Sequence, residues 1–531
     1  MKKALIALIL AVAMTFSGCV VSGGMGLIGG EQSSSQGAPD KGPNGGDNGG
    51  GNNNSEHVDA DKDDYCDECG DSVAVVFDFF GMNDLHGKFA DNDSQPGVDE
   101  LSTYLKNARE DNENTVLLSS GDMWQGSSES NLTQGMIVTE WMNEMDFDSM
   151  SIGNHEYDWG EACIEKNVEA AEFPFLGINI YEKTTNQRVE YCQPSVTVEK
   201  NGVKIGIIGA VGDCYSSIAV ENVQEVYFKT GSALTSLVKA EAQRLREEEG
   251  VDFVVYSIHD GYGSSSSSTK TVSDSEISSY YDVALSGGYV DLVFEGHTHQ
   301  RYVLKDSQGV YHLQDGGDND GISHAEVKIN FANDTYVVQT AEFISTSIYS
   351  SLPDDPIVET LLQKYEEQIA LSAKVLGQNS KKRTSTQLRQ LVADLYYQAG
   401  VERWGSRYNI VLGGGFISVR SPYNLYAGEV IYGDLLALLP FDNQLVLCSI
   451  SGRNLKEKFF ETTNSNYGIS YGAYGQSVKD SINLNATYYV VVDTYCSSYK
   501  YNYLTEIERY DENVFARDLL AAYIEKGGLE G

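Results

Sequence analysis

Positive charge is scarce in this chain: 37 Lys and Arg stand against 77 Asp and Glu in 531 residues, a formal net charge of −40. So acidic a chain repels polyanions, which excludes an electrostatic footprint for DNA or RNA. A small anionic ligand would have to be drawn in by local positive charge, and bound divalent cations are the most economical source. Long apolar runs are also missing. The one sustained run, Ala4 to Phe16, is too short for a transmembrane helix, and no other segment could span a bilayer. Cysteine is thin and scattered: Cys163, Cys192, Cys214, Cys448 and Cys496 are too widely spread to define a disulfide framework.

Histidine is rarer still, and its placement is informative. Five of the 8 histidines fall where short hydrophobic runs give way to polar residues: Asp84-Leu85-His86, Gly121-Asp122, Gly153-Asn154-His155-Glu156, His259 and Gly296-His297-Thr298-His299. This pattern reads as a site built where the strands of an open α/β sheet run out. His57, His312 and His324 lie outside these segments and read as structural or solvent-exposed.

The strand-like runs are Val73 to Phe80, Thr115 to Leu118, Val203 to Ile208, Val251 to Ile258 and Val290 to Phe294. Amphipathic stretches lie between several of them, at Val98 to Arg109, Met136 to Met145 and Ser232 to Glu249. Alternating strands and helices predict an α/β domain over residues 72–346. The serine run within Gly261 to Thr269 reads as a loop at the rim of the site. Asp354 to Lys374 has a helical pattern and predicts a linker helix over 347–374. A second α/β or α+β domain would follow over 375–531.

The chain opens with Met1-Lys2-Lys3 and its apolar run, the plan of a secretory signal. Ser17-Gly18-Cys19 closes the run and resembles the lipobox of bacterial lipoproteins, with Phe16 where such motifs usually carry Leu. That reading makes 1–19 a lipoprotein signal, puts a lipid on Cys19, and places the protein outside the cytoplasm, anchored to the cell envelope. The alternative is an ordinary cleaved signal. Residues 20–71, rich in Gly, Asn, Ser and Asp, predict a flexible tether. Within it, His57 to Asp63 and Cys66-Asp67-Glu68-Cys69 could bind calcium or zinc; the plainer reading is a local disulfide.

A lone Asp84 at a strand end reads as a turn former, and a lone Asn154 as a cap. Seven Asp, His and Asn side chains from separate strand ends are more than one ion needs, so two ions are expected. In a two-metal hydrolase an acidic residue lies between the ions, and water is activated near neutral pH while the cations take up phosphoryl charge. In this order the five motifs resemble the calcineurin-like metallophosphoesterase signature. Met82-Asn83-Asp84-Leu85-His86-Gly87 and Gly153-Asn154-His155-Glu156-Tyr157-Asp158 resemble its 5′-nucleotidase and UDP-sugar hydrolase branch.

The resemblance implies a four-layer αββα metallophosphoesterase domain and a C-terminal α/β substrate-binding domain of the 5′-nucleotidase type. It further implies that Asp84, His86 and His299 hold one divalent ion, Asn154, His259 and His297 the other, and Asp122 bridges them. Zn, Mn, Fe and Co all accept such ligands. His155 would stabilise charge at the phosphate, oriented by Asp158. Phe441 and Asn443, in Pro440-Phe441-Asp442-Asn443, and Tyr495 match the segments that hold the organic part of the substrate, the two rings stacking on a base.

Two family motifs are altered. Leu412-Gly413-Gly414-Gly415-Phe416-Ile417 replaces a glycine run ending in arginine, leaving Arg420 and, by position, Arg383 as candidate phosphate ligands. Cys496-Ser497-Ser498-Tyr499-Lys500-Tyr501 replaces a segment that would supply a ribose-binding aspartate. The expected activity is phosphate release from 5′-nucleotides. A 2′,3′-cyclic nucleotide phosphodiesterase and a UDP-sugar hydrolase are the near alternatives, and a surface binding protein on an inactive phosphatase scaffold is the distant one. By analogy with the family, Asp354 to Lys374 would act as a hinge on which the second domain turns.

Overall fold

The computed structural model describes residues 57–530 apart from 92–96, 279, 287, 421–422, 463–464 and 511–513. The signal segment, Cys19 and the tether up to residue 56 lie outside the described residues.

Two sheets stack at the heart of the first half. One runs, edge to edge, Thr335–Ser345, Gly321–Asn330, Ala74–Met82, Thr115–Ser119, Ser149–Ser151, Phe175–Leu176. The other runs Lys270–Thr271, Arg301–Lys305, Tyr311–Asp315, Leu292–Glu295, Phe253–His259, Val203–Val211, Ser195–Lys200. Period-two alternation sends Phe77, Phe79, Val116 and Leu118 from the first sheet against Ile205, Ile207, Phe253, Val255, Leu292 and Phe294 from the second. The outer face of the first sheet is covered by the helices Asp99–Asp111 and Met136–Glu144 through Leu101, Leu105, Ile137, Val138 and Trp141. Helix Ser232–Arg244 covers the second through Leu234, Val238 and Ala242. The layers are therefore α, β, β, α, as expected from the resemblance.

Central strands buried on both faces read as unbroken apolar runs, which is why they stand out in the sequence. Ala74–Met82, Thr115–Ser119 and Ser149–Ser151 are mutually parallel, as are Val203–Val211, Phe253–His259 and Leu292–Glu295. All five polar motifs thus emerge from C-terminal strand ends.

Residues 375–530 form a second core. A five-stranded sheet, in order Tyr467–Ser470, Ile410–Phe416, Thr487–Asp493, Leu445–Ser451, Thr505–Arg509, packs against the helices Ser385–Trp404 and Ala516–Glu525. The glycines at 413–415 serve this packing. A Cβ on Gly413 would lie 2.3 Å from the backbone nitrogen of Tyr397, and one on Gly414 2.0 Å from the carbonyl of Gly468.

Three expectations need correction. The tether does not extend to Asp71: residues 57–71 are docked on the first sheet, where the buried Asp59 accepts from Asn330 Nδ2 at 2.7 Å and Lys328 pairs with Asp64 at 2.5 Å. The expected Cys66–Cys69 disulfide is absent, both being free thiols. Asp354 to Lys374 is not one helix. Pro356–Lys364, capped by Asp355, ends at Tyr365, whose ring enters the first core, and Glu366–Ile369 and Ala370–Ala373 follow as separate turns.

Candidate metal centre and substrate cleft

Five of the seven expected metal ligands adopt a left-handed backbone, with φ of 48° at Asp84, 50° at His86, 56° at Asp122, 68° at His297 and 51° at His299. Non-glycine residues hold such angles only where their surroundings enforce them. Here the enforcement comes from buried carboxylates. Glu156 accepts from the amides of Asp122 at 2.8 Å, Met123 at 2.9 Å and Gly153 at 2.8 Å, clamping two of the strand-end turns together. Burial, and then the charge of Asp122, push its carboxyl up to about 7. Gly153 must be glycine, since its Cβ would lie 2.3 Å from Asp122 Oδ1. Asp315 similarly accepts from the amides of Asn83 at 3.2 Å and Gly317 at 2.9 Å beside the first motif.

The turns bring the side chains into overlapping groups. Asp84, His86 and His299 form one, Asp122, His259 and His297 another, and Asp122 also falls with His86 and His155; within each group the ligand atoms lie within 4.8 Å of one another. Asp122 therefore stands between the two halves. Asn154 Oδ1 lies 3.2 Å from His259 Nε2.

The donor set fits cations. His86 donates from Nδ1 to the Gln125 carbonyl at 2.8 Å, and His259 from Nδ1 to the Ser120 carbonyl at 2.7 Å, which leaves Nε2 of each ring facing the centre. Those Nε2 atoms crowd other ligand atoms: His86 Nε2 lies 3.1 Å from His299 Nε2, and His259 Nε2 lies 3.1 Å from Asp122 Oδ2, where burial opposes the charge of His259 but Asp122 outweighs it and carries the imidazole to about 10. Burial, followed by the charge of Arg420, keeps His86 well below its ordinary value, and burial and His259 bring His297 down to about 4, so both are neutral imidazoles at pH 7. The buried Asp84 Oδ1 lies 3.2 Å from His299 Nε2 and 3.9 Å from His86 Nε2. Converging lone pairs on a buried carboxylate are stable around a divalent ion and costly without one.

His155 lies beside this centre, donating from Nδ1 to Asp158 Oδ2 at 2.7 Å. Burial opposes its charging, but Asp158 and Asp122 outweigh burial and raise its pKa. Arg420, four residues beyond the glycine strand, donates from Nη2 to His155 Nε2 at 2.8 Å. The Phe441 ring stacks on His155 with centroids 5.7 Å apart, and the Arg420 guanidinium sits 5.4 Å from the Phe441 centroid. Arg420, Phe441, Asn443 and Tyr495 line one cleft of about 480 Å³ together with Asp122, Asn154, His155, Asp158, His297 and His299. Asn443 Oδ1 accepts from Thr494 at 3.4 Å, and the Tyr495 ring lies 5.8 Å from that of Phe416.

Arg383 is not brought to the cleft. Its backbone pairs with Leu425 and its Nη2 points to the Leu529 carbonyl at 3.4 Å. Motif reading missed Arg517, which donates to the carbonyls of Pro440 at 3.2 Å and Phe441 at 3.1 Å and pairs with Asp442, holding the loop that presents Phe441. It also missed Asp493 and Arg509 on the cleft wall. An acid preceding Tyr495 in a strand carries no spacing that would mark it.

His312 supports the centre from behind. It is fully buried between Glu295 Oε1 at 2.6 Å and Asp306 Oδ2 at 3.5 Å, and Glu295 leads directly into Gly296-His297. Burial works against its charge, but Glu295 and Asp306 overcome it and carry the imidazole to about 9. A folded pKa above the unfolded value of about 6.5 means that this stabilisation is complete below pH 6.5 and lost as pH rises through about 9. Urea unfolding across that window is expected to lose on the order of 2–3 kcal/mol, and the loss should be absent in His312→Gln. An equal loss in both proteins would remove His312 as its source.

Comparison with known proteins agrees with this geometry. The calcineurin-like phosphoesterase profile matches residues 78–301, and the profile of the 5′-nucleotidase C-terminal domain matches 368–504. The fold and site define a metal-dependent phosphoester hydrolase. The UshA protein of Yersinia enterocolitica is 28% identical over 444 residues, covering 75% of this chain and 78% of the relative. A 5′-nucleotidase of Vibrio cholerae is 24% identical over 449 residues, covering 74% and 76%. The chain carries a calcineurin-like phosphoesterase domain followed by a 5′-nucleotidase C-terminal domain. A 5′-nucleotidase precursor structure from Thermus thermophilus shares the fold, with a TM-score of 0.62 at 16% identity over 85% of this chain and 96% of that one. No helix among the described residues is long and apolar enough to cross a membrane.

Proposed function

We propose that the protein releases phosphate from nucleotides, with 5′-nucleotides as its substrates. The observation that carries this reading is the shared cleft: the metal-ligand groups, the His155–Asp158 pair, Arg420 and the aromatic side chains of Phe441 and Tyr495 line one cavity. Asp84, His86 and His299 would hold one divalent ion and Asn154, His259 and His297 the other, with Asp122 shared. Such ions supply Lewis acidity and a nucleophile at neutral pH.

The chain's own groups do the rest. Arg420, now donating to His155, is placed to turn its fork onto a phosphoryl group, an exchange that frees His155 Nε2 to take a proton and add a second positive donor. Asp158 fixes the ring's tautomer through Nδ1. Phe441 and Tyr495 offer flat apolar faces to a base.

Phe441→Ala should raise KM for a mononucleotide by roughly 5- to 150-fold, the equivalent of 1–3 kcal/mol of stacking, while leaving KM for a base-free phosphate ester nearly unchanged. Equal effects on both substrates would place Phe441 in the scaffold. Product analysis across AMP, UMP, ADP, a 2′,3′-cyclic nucleotide and UDP-glucose tests the substrate directly. Phosphate from mononucleotides supports the proposal; turnover confined to the cyclic or sugar nucleotide would keep the site and change its substrate. We further propose that Cys19 carries a lipid anchor outside the cytoplasm, on the strength of the leader-like run before it; labelling with a radiolabelled fatty acid that Cys19→Ala leaves intact would refute it.

A further inference from the structure

A second set of metal-binding side chains lies outside the cleft. His57, Cys66 and Cys69 each bring one ligand atom to within 4.8 Å of the other two. Cys69 Sγ lies 3.5 Å from His57 Nδ1. Zinc bound tetrahedrally, with Zn–S near 2.3 Å and Zn–N near 2.0 Å, places a sulfur and a nitrogen ligand about 3.5 Å apart.

The surrounding backbone suits a thiolate. Amides of Cys69, Val58 and Glu68 are directed at the Cys66 sulfur. Gly70, at φ 77°, turns the chain back so that its amide donates to the Cys66 carbonyl at 2.8 Å, closing a Cys-x-x-Cys-Gly knuckle.

The neighbouring Asp59 has a different task. Asp59 accepts from the amides of Asp63 at 3.0 Å and Asp64 at 3.2 Å and from Asn330 and Asn333, so its carboxylate caps a turn. Those bonds, the Lys328–Asp64 pair and the edge of His57 against Phe331, with centroids 6.0 Å apart, dock the knuckle on the hairpin formed by Gly321–Asn330 and Thr335–Ser345.

We propose that His57, Cys66 and Cys69 bind one structural zinc ion that locks residues 57–71 onto this hairpin, separate from the catalytic centre. Binding displaces the thiol protons and leaves the thiolates as ligands, with no change of oxidation state. A structural ion of this kind contributes directly to the stability of the segment that it closes.

Cobalt substitution tests this, because the candidate catalytic centre offers only oxygen and nitrogen ligands, so a cobalt–thiolate charge-transfer band in the near ultraviolet reports the knuckle alone. The full chain, purified under reducing conditions and loaded with Co(II), is expected to show that band and to hold one more metal per chain than Cys66→Ser/Cys69→Ser. The double variant should keep the wild-type kcat. His57→Ala should retain the band while binding the ion at least about tenfold more weakly. The wild-type spectrum decides even if a variant fails to fold. A wild-type protein without the band, an unchanged metal count in the double variant, or a Cys66–Cys69 disulfide in zinc-free native protein would each overturn the proposal.

Discussion

Asp122→Asn is expected to lower kcat for phosphate release by at least about 10³-fold, some 4 kcal/mol of transition-state stabilisation, and to lower bound metal as well. Asp122 is the one carboxylate in both halves of the centre, with Oδ2 3.1 Å from His259 Nε2 and Oδ1 accepting the His155 amide at 2.7 Å. Asparagine keeps the acceptor that orients the His155 backbone but removes the charge, so the variant separates electrostatics from loop geometry. Metal content by mass spectrometry beside steady-state kinetics checks both parts. A variant with near-normal kcat would mean that the chemistry does not run between the two halves.

His155→Ala should behave differently. It is expected to cost roughly 10²–10³-fold in kcat, the range for removing one preorganised donor from developing oxyanion charge, with metal content intact and KM little moved. The imidazole sits among Asp158, Arg420 and the Phe441 ring, and its bonds leave Nε2 as the atom that can face a substrate oxygen. A loss of metal in this variant would recast His155 as a ligand. Retention of most of kcat would remove it from the reaction.

The contrast between the two halves of the chain shows what can be read from residues alone. The strand-end motifs were legible because parallel strands buried on both faces form plain apolar runs, and each ends in polar residues within a few positions. The ring of ligands then follows from topology. The substrate side was less legible because its residues act through loops. Arg420 reaches His155 from four residues past its strand, whereas Arg383, closer to the expected register, is held by Leu425 and Leu529. The glycine run reads equally as a phosphate loop or as close backbone packing until Tyr397 and Gly468 are seen against it. Glu156 was visible inside its motif, yet its use as a clamp on three amides depends on two turns meeting in space. Composition pointed to a tether up to Asp71, but a few specific contacts from Asp59, Asp64 and His57 are enough to dock its last fifteen residues.

The most direct test of the account is phosphate release from AMP by metal-stripped protein, measured before and after adding back Mn or Zn. The account predicts negligible release from the stripped protein, recovery on adding metal, and renewed loss with EDTA. Release that persists unchanged in the stripped protein would contradict metal-dependent hydrolysis in this cleft, and no release from AMP under any metal condition would contradict the proposed substrate.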